Sequence, residues 1–186
     1  MIRLLSALFI LFTGLLSVTA RATTDFDTWR EGFRQTALSA GISAEIFNTA
    51  FRDVRANPQT RANDTDQPEF VRPIWQYLDD AVSDARISNG RAKSDELRNL
   101  LRSIERKYGI DSAILLAIWG METNYGSYRG TTNTIEALAN AAHVGRRRAF
   151  AETELLAALK ILTRGDVTAS TMIGGWSGAM GHTQFM

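Results

Sequence analysis

Glu122 is the residue of this sequence best placed for acid–base chemistry. It falls near the end of the segment from Ser112 to Asn124, where Ala113, Ile114, Leu115, Leu116, Ala117, Ile118, Trp119 and Met121 leave almost no polar face. Helical spacing puts it on one side with Ile114, Leu115 and Ile118. Three effects are expected to favour its protonated form: burial of the carboxyl, the negative end of the helix dipole, and the lack of a Lys or Arg within one turn. An acid kept neutral near pH 7 is what a glycosidic oxygen needs from a proton donor. The alternatives are a Glu hydrogen-bonded into the core, or one reaching solvent past Asn124 and Gly126.

Other chemistries find little support. His143 and His182 have no carboxylate or thiolate cluster at ligand spacing, so the reading is of no metal and no cofactor. The G-x-S-x-G elbow of a Ser-His-Asp hydrolase is missing. Glycines 174, 175, 178 and 181 are not a phosphate loop, because no Lys-Ser/Thr follows them. The chain holds no cysteine, which removes disulfides, thiolate sites and a lipidation point.

The elements that must position Glu122 read as helices. From Asp25 to about Phe51, Phe26, Trp29, Phe33, Ala37, Leu38, Ile42, Ile46, Phe47 and Ala50 recur at three- and four-residue steps, predicting two short helices split near Gly41. Pro58, Pro68 and Pro73 mark an extended surface loop. Helices are expected at Ile74 to about Ile87 and at Ser94 to Tyr108, the latter stopped by Gly109. Asp111 should cap the Glu122 helix, which with so little polar face belongs in the middle of the domain. Asn133 with Glu136 resembles a capping box opening Thr134–Ala142, and Phe150–Thr163 is amphipathic. No alternating strand and no repeat is evident, so the fold should be mainly α.

A 45% apolar content over 186 residues is enough for a core and one domain. Arg3, the apolar run Leu4–Val18 and Thr19-Ala20-Arg21-Ala22 read as a secretory signal cut after Ala22, leaving 23–186 as the mature domain. The run is shorter than the ~20 residues of a membrane span and is broken by Ser6, Thr13, Gly14 and Ser17, so no stable membrane anchor is expected. The whole chain has 21 basic and 20 acidic side chains; cleavage removes Arg3 and Arg21 and no acid, turning +1 into −1. That balance argues against nucleic acid as partner. The chain stops at Gly181-His182-Thr183-Gln184-Phe185-Met186, inside an apolar, glycine-rich stretch, and is expected to be C-terminally incomplete.

The local words carry a resemblance. Residues Ile118-Trp119-Gly120-Met121-Glu122-Thr123-Asn124-Tyr125-Gly126 resemble the catalytic signature of lytic murein transglycosylases of the membrane-bound B type. Gly174-Gly175-Trp176-Ser177-Gly178-Ala179-Met180-Gly181-His182-Thr183-Gln184-Phe185-Met186 is similar to that family's second motif. Leu138-Ala139 followed by Arg146-Arg147-Arg148 resembles its arginine-bearing linker, and Gln67-Pro68-Glu69-Phe70 with Trp75 and Tyr77 also fits. The likeness runs from Phe26 to Met186.

It implies a lysozyme-like (α+β superfamily) catalytic domain, exported to the periplasm, that cleaves the MurNAc-β-1,4-GlcNAc bond without water. One Glu, here Glu122, would protonate the leaving oxygen and then deprotonate the sugar's own C6 hydroxyl, giving a 1,6-anhydro product. A two-carboxylate glycosidase needs a partner acid about 5–10 Å away, whereas Glu136 and Asp111 read as helix caps. By the same resemblance Gln184 and Phe185 should line the sugar cleft with Met180 beside them. Tyr125 should pack under the substrate or hold the loop, and Arg147 should grip a stem-peptide or lactyl carboxylate. Core packing is the competing role for each, and Trp176 reads as a structural wedge.

Gly175 stands where the family usually has Ser, a contact that Ser177 would partly replace, and His182 stands where it usually has Gln. The implied partners are peptidoglycan strands and cell-wall synthesis or division proteins. A hydrolytic muramidase and an inactive peptidoglycan-binding or scaffold remnant are the alternative readings.

Overall fold

The computed structural model describes residues 25–60, 64 and 73–186. The signal segment and Gln67-Pro68-Glu69-Phe70 lie outside these. Helix α1 covers 25–39 and α2 covers Ala44–Phe51, parted by Gly41 at φ 88° and started by Ser43, whose Oγ accepts from the Ile46 amide at 3.2 Å. The expected split is therefore present. Their facing aromatics stack, Trp29 on Phe33 at 5.5 Å between ring centroids and Phe47 on Phe51 at 4.3 Å. Such pairs add about 0.5–1.5 kcal/mol each beyond their burial.

Against this cluster lies a helical hairpin, α7 (Thr134–Val144) and α8 (Arg148–Arg164), which buries Ile135, Leu138, Leu155 and Leu159 in the same core. Asn133 caps α7 as expected, its Oδ1 accepting from the amides of Ile135 (3.0 Å) and Glu136 (3.2 Å). Asn140, 1% exposed in the middle of α7, is fully engaged. It accepts from the Asn57 amide at 2.6 Å and donates to the Arg55 and Glu136 carbonyls. The segment leaving α2 is thus pinned to the hairpin by a satisfied buried amide.

A second group holds α3 (Ile74–Ala81), α4 (Asp84–Glu96), α5 (Arg98–Tyr108) and α6 (Ser112–Thr123). Here the boundaries differ from expectation. The helix read as Ile74–Ile87 breaks at Val82, because Ser83 caps a new helix by accepting from the Arg86 amide. Ser94–Glu96 belong to that new helix, and α5 begins only after the kink at Leu97. Helix α4 buries no residue, so no apolar period could announce it. Gly109 at φ 67° ends α5, and Asp111 caps α6 through the Ala113 amide at 2.7 Å.

Three expectations are corrected. Helix α6 is not central: Leu116, Gly120 and Thr123 are buried, but Ile114, Ile118 and Met121 are 55%, 46% and 43% exposed. An all-round apolar sequence fits two environments, and packing against α4 and α5 occupies only one side. There is also a minimal sheet, Thr132–Asn133 (β1) antiparallel to Ile173–Gly174 (β2), with Thr132 opposite Gly174. Two residues per strand are too few to display alternation. The loop after α2 is likewise not purely extended, since 59–60 and 64 are helical.

Candidate active site

The last turn of α6 carries Glu122 and runs into a tight loop. Asn124 (φ 48°) and Tyr125 (φ 60°) are both left-handed and Gly126 (φ 83°) follows. Left-handed backbone costs an L-residue about 1–2 kcal/mol, so outside contacts must hold it. Thr123, 2% exposed, supplies two: its Oγ1 donates to the His182 carbonyl at 2.7 Å and accepts from the Gly126 amide at 3.0 Å. Tyr125 supplies a third, donating from its hydroxyl to the Arg86 carbonyl at 3.1 Å. Its ring fills space left by Gly90 of α4 and Gly120 of α6, where any Cβ would overlap the phenol. These mid-helix glycines each cost about 1 kcal/mol against Ala, and the ring between them joins the two helices. Of the two roles expected for Tyr125, holding the loop is the one its contacts serve.

Glu122 itself is exposed to solvent. It does share a face with Ile114 and Ile118, as expected, but that face is the open one, so burial does not act on the carboxyl here.

The second motif forms a glycine-rich loop that closes back on α6. Gly174 bridges Met180, and the Met180 amide donates to the Phe185 carbonyl at 3.0 Å. Gly130 (φ 90°) lies so close to the Gly174 carbonyl that a Cβ would overlap it, which fixes the two strands at backbone contact distance. The Gln184 amide donates to the carbonyls of Gly181 (3.0 Å) and Arg129 (3.4 Å). A Cβ at Gly175 would stand 3.1 Å from Gln184 Oε1, so Gly175 leaves the room this side chain uses.

The expected residues thus fall into two clusters. Glu122, Tyr125, Met180, Gln184 and Phe185 belong to the joined loops. Met180 packs on the core and Phe185 is 73% exposed. Arg147 and Ser177 instead meet in a cavity of about 110 Å³, lined also by Arg146, Phe150 and Trp176. Arg147 stands just before the first residue of α8, its guanidinium 4.2 Å from the Phe150 ring centroid, while Arg146 is paired with Asp64 at 3.2 Å. Trp176 is 40% exposed on this cavity, a wall rather than a buried wedge.

Sequence reasoning missed Thr123, Trp119 and His182 as the joint. Trp119 Nε1 donates to His182 Nδ1 at 3.1 Å. A threonine beside the acid was the available signal, but its partner lies 59 residues away.

A mainly helical, lysozyme-like domain with an open acid at a helix end beside a glycine-rich loop is what this fold and site define. The chain belongs to the transglycosylase SLT domain family, which it matches over residues 25–186. It is similar to SltB3 from Pseudomonas aeruginosa, solved in complex with NAG-NAM-pentapeptide: 48% identity, TM-score 0.80, covering 87% of this chain and 43% of that one. SltB1 from Pseudomonas aeruginosa, a soluble lytic transglycosylase, is 28% identical with TM-score 0.74, covering 84% of this chain and 53% of that one. Membrane-bound lytic murein transglycosylase B of Escherichia coli (strain K12) is 27% identical over 121 residues, 64% of this chain and 34% of that protein. The chain therefore spans between a third and about half of these relatives.

If Thr123 is the joint, Thr123→Val should lower unfolding stability by about 1–3 kcal/mol, since it strands the Gly126 amide and frees the second loop. Thr123→Ser keeps the hydroxyl and should cost less than about 1 kcal/mol. Denaturant unfolding in which Val matches wild type would contradict this role.

Proposed function

We propose that this chain carries the catalytic acid and part of the glycan cleft of a peptidoglycan lytic transglycosylase. The observation that supports it most is the joining of the Glu122 turn to the second-motif loop through Thr123 and His182. Two motifs 59 residues apart meet where one acid faces open space.

Glu122 donates its proton to the glycosidic oxygen as the bond from C1 of MurNAc to that oxygen breaks. The resulting carboxylate removes the proton from the C6 hydroxyl of the same sugar, whose oxygen bonds to C1. The carboxyl is thereby regenerated and no water is consumed. Because the nucleophile comes from the substrate, one carboxyl suffices. Gln184, Phe185 and Met180 form the wall nearest this chemistry, with the exposed Phe185 ring offering a surface for a sugar. Glycan lying across the Ile114–Ile118–Met121 face would exclude water from around Glu122.

Arg147 and Ser177 line the cavity of about 110 Å³ together with the rings of Phe150 and Trp176, which suits a carboxylate on an apolar stem. They are proposed to hold the lactyl or stem-peptide carboxylate. The openness of Glu122 before substrate binds also favours a second reading, in which this chain binds glycan without cleaving it.

Residues 1–22 are proposed as a cleaved signal that places residues 23–186 in the periplasm. Among the described residues no helix is long and apolar enough to cross a membrane. Intact-mass measurement of exported protein should give a chain beginning at Thr23, and retention of residues 1–22 would contradict cleavage.

Incubation with purified sacculi tests the central reading. Wild type should release soluble muropeptides, and Glu122→Gln should release them at least about 100-fold more slowly. Equal rates would remove Glu122 from the chemistry, and tight sacculus binding with no release by wild type would favour the binding module.

A further inference from the structure

The imidazole of His182, on an exposed residue, lies against Trp119, one turn before Glu122, and Gly126, just after it. Its Nδ1 accepts from the Trp119 indole at 3.1 Å, with ring centroids 5.7 Å apart. Gly126 lacks the Cβ that would overlap the imidazole. The Trp119 ring in turn meets Tyr125 edge-on at 5.7 Å and 79°. The second loop therefore grips both flanks of the acid-bearing turn through a single side chain.

An indole N–H only donates. His182 must accordingly present a lone pair at Nδ1, with its own proton on Nε2. A doubly protonated imidazole would set N–H against N–H, and the grip would be lost. The groups that meet the ring, Trp119 of α6 and Gly126 of the following loop, carry no charge. The ionisable side chains on those two elements nearest in sequence are Glu122, Tyr125, Tyr128 and Arg129, and Ile173–Met186 holds none besides His182.

We propose that His182 is a positioning residue: its neutral imidazole, acting through Trp119, holds the Glu122 turn in working geometry, and its protonation releases that turn as pH falls. This rests on the reading of Glu122 as the acid. The hydrogen bond acts on placement rather than on glycan affinity, so its loss should appear in kcat more than in KM.

The test pairs a spectroscopic titration with kinetics. In ¹⁵N-labelled protein the Trp119 indole N–H resonance, assigned by its loss in Trp119→Phe, is followed from about pH 8 to pH 5, the range in which histidines change charge. It should shift in step with the His182 ring protons. In His182→Asn, whose amide oxygen can replace Nδ1 as acceptor, it should stay still.

On sacculi, His182→Ala should lower kcat about ten- to a hundredfold, with KM within about twofold. His182→Asn should recover most of that loss and flatten the acidic limb of the pH profile. An indole resonance that ignores His182 protonation, or wild-type kcat in His182→Ala, would overturn the proposal. Should His182→Ala fail to fold, wild type against His182→Asn decides it. Failure of wild type to cleave would sink the functional reading instead, and the indole titration would still decide whether His182 governs the turn.

Discussion

A single threonine hydroxyl joins the Glu122 turn to the glycine-rich loop. Thr123 Oγ1 gives its proton to the His182 carbonyl and takes one from the Gly126 amide, and the residue is almost wholly removed from water. Few side chains would serve: the group must donate and accept at once, as a hydroxyl does. Because Asn124 and Tyr125 lie in left-handed backbone, the loop after Glu122 would relax without such anchors. This contact ties the Glu122 turn to the glycine-rich loop, whose own bonds, from Gln184 to the Gly181 and Arg129 carbonyls and from the Met180 amide to the Phe185 carbonyl, set the rest of its shape.

Rigidity reaches this joint from the opposite side of the molecule. The aromatic cluster of α1 and α2 seats the α7–α8 hairpin, and Asn133, at the start of α7, donates from its side-chain amide to the Ala169 carbonyl at 2.8 Å. The Thr134 amide donates to the Met172 carbonyl at 2.9 Å, and the close passage of Gly130 past Gly174 continues the register. A packed core is thus converted into backbone spacing in the second loop. The α3–α6 group is built differently, with few buried apolar side chains. It is joined through the Tyr125 ring and through Arg86, whose guanidinium bonds the Asp80 and Ala81 carbonyls at the end of α3.

How much of this was legible in the sequence follows from what each contact depends on. Caps at Asp111 and Asn133, and stops at Gly41 and Gly109, are local events, and the sequence displays them. The α1–α2 and α7–α8 faces are apolar at helical period, so the core could be read. Helix α4 has no such face and was divided between its neighbours. Exposure is the property the sequence misjudged most: Ile114, Ile118 and Glu122 do lie on one stripe, but an apolar stripe does not say whether anything covers it. Tyr125 was read only beside Glu122, while the two glycines that receive its ring lie in separate helices. His182 stands out in the sequence as one of two histidines without ligand-spaced partners and as a departure from a family pattern, while its contact with Trp119 spans 63 residues.

The proposed mechanism needs only one carboxyl because the substrate would supply its own nucleophile. Digestion of sacculi in H₂¹⁸O, with mass analysis of the released MurNAc termini, tests that directly. The account predicts 1,6-anhydro ends that carry no ¹⁸O. Reducing ends labelled at C1 would mean that water attacks, and would contradict it.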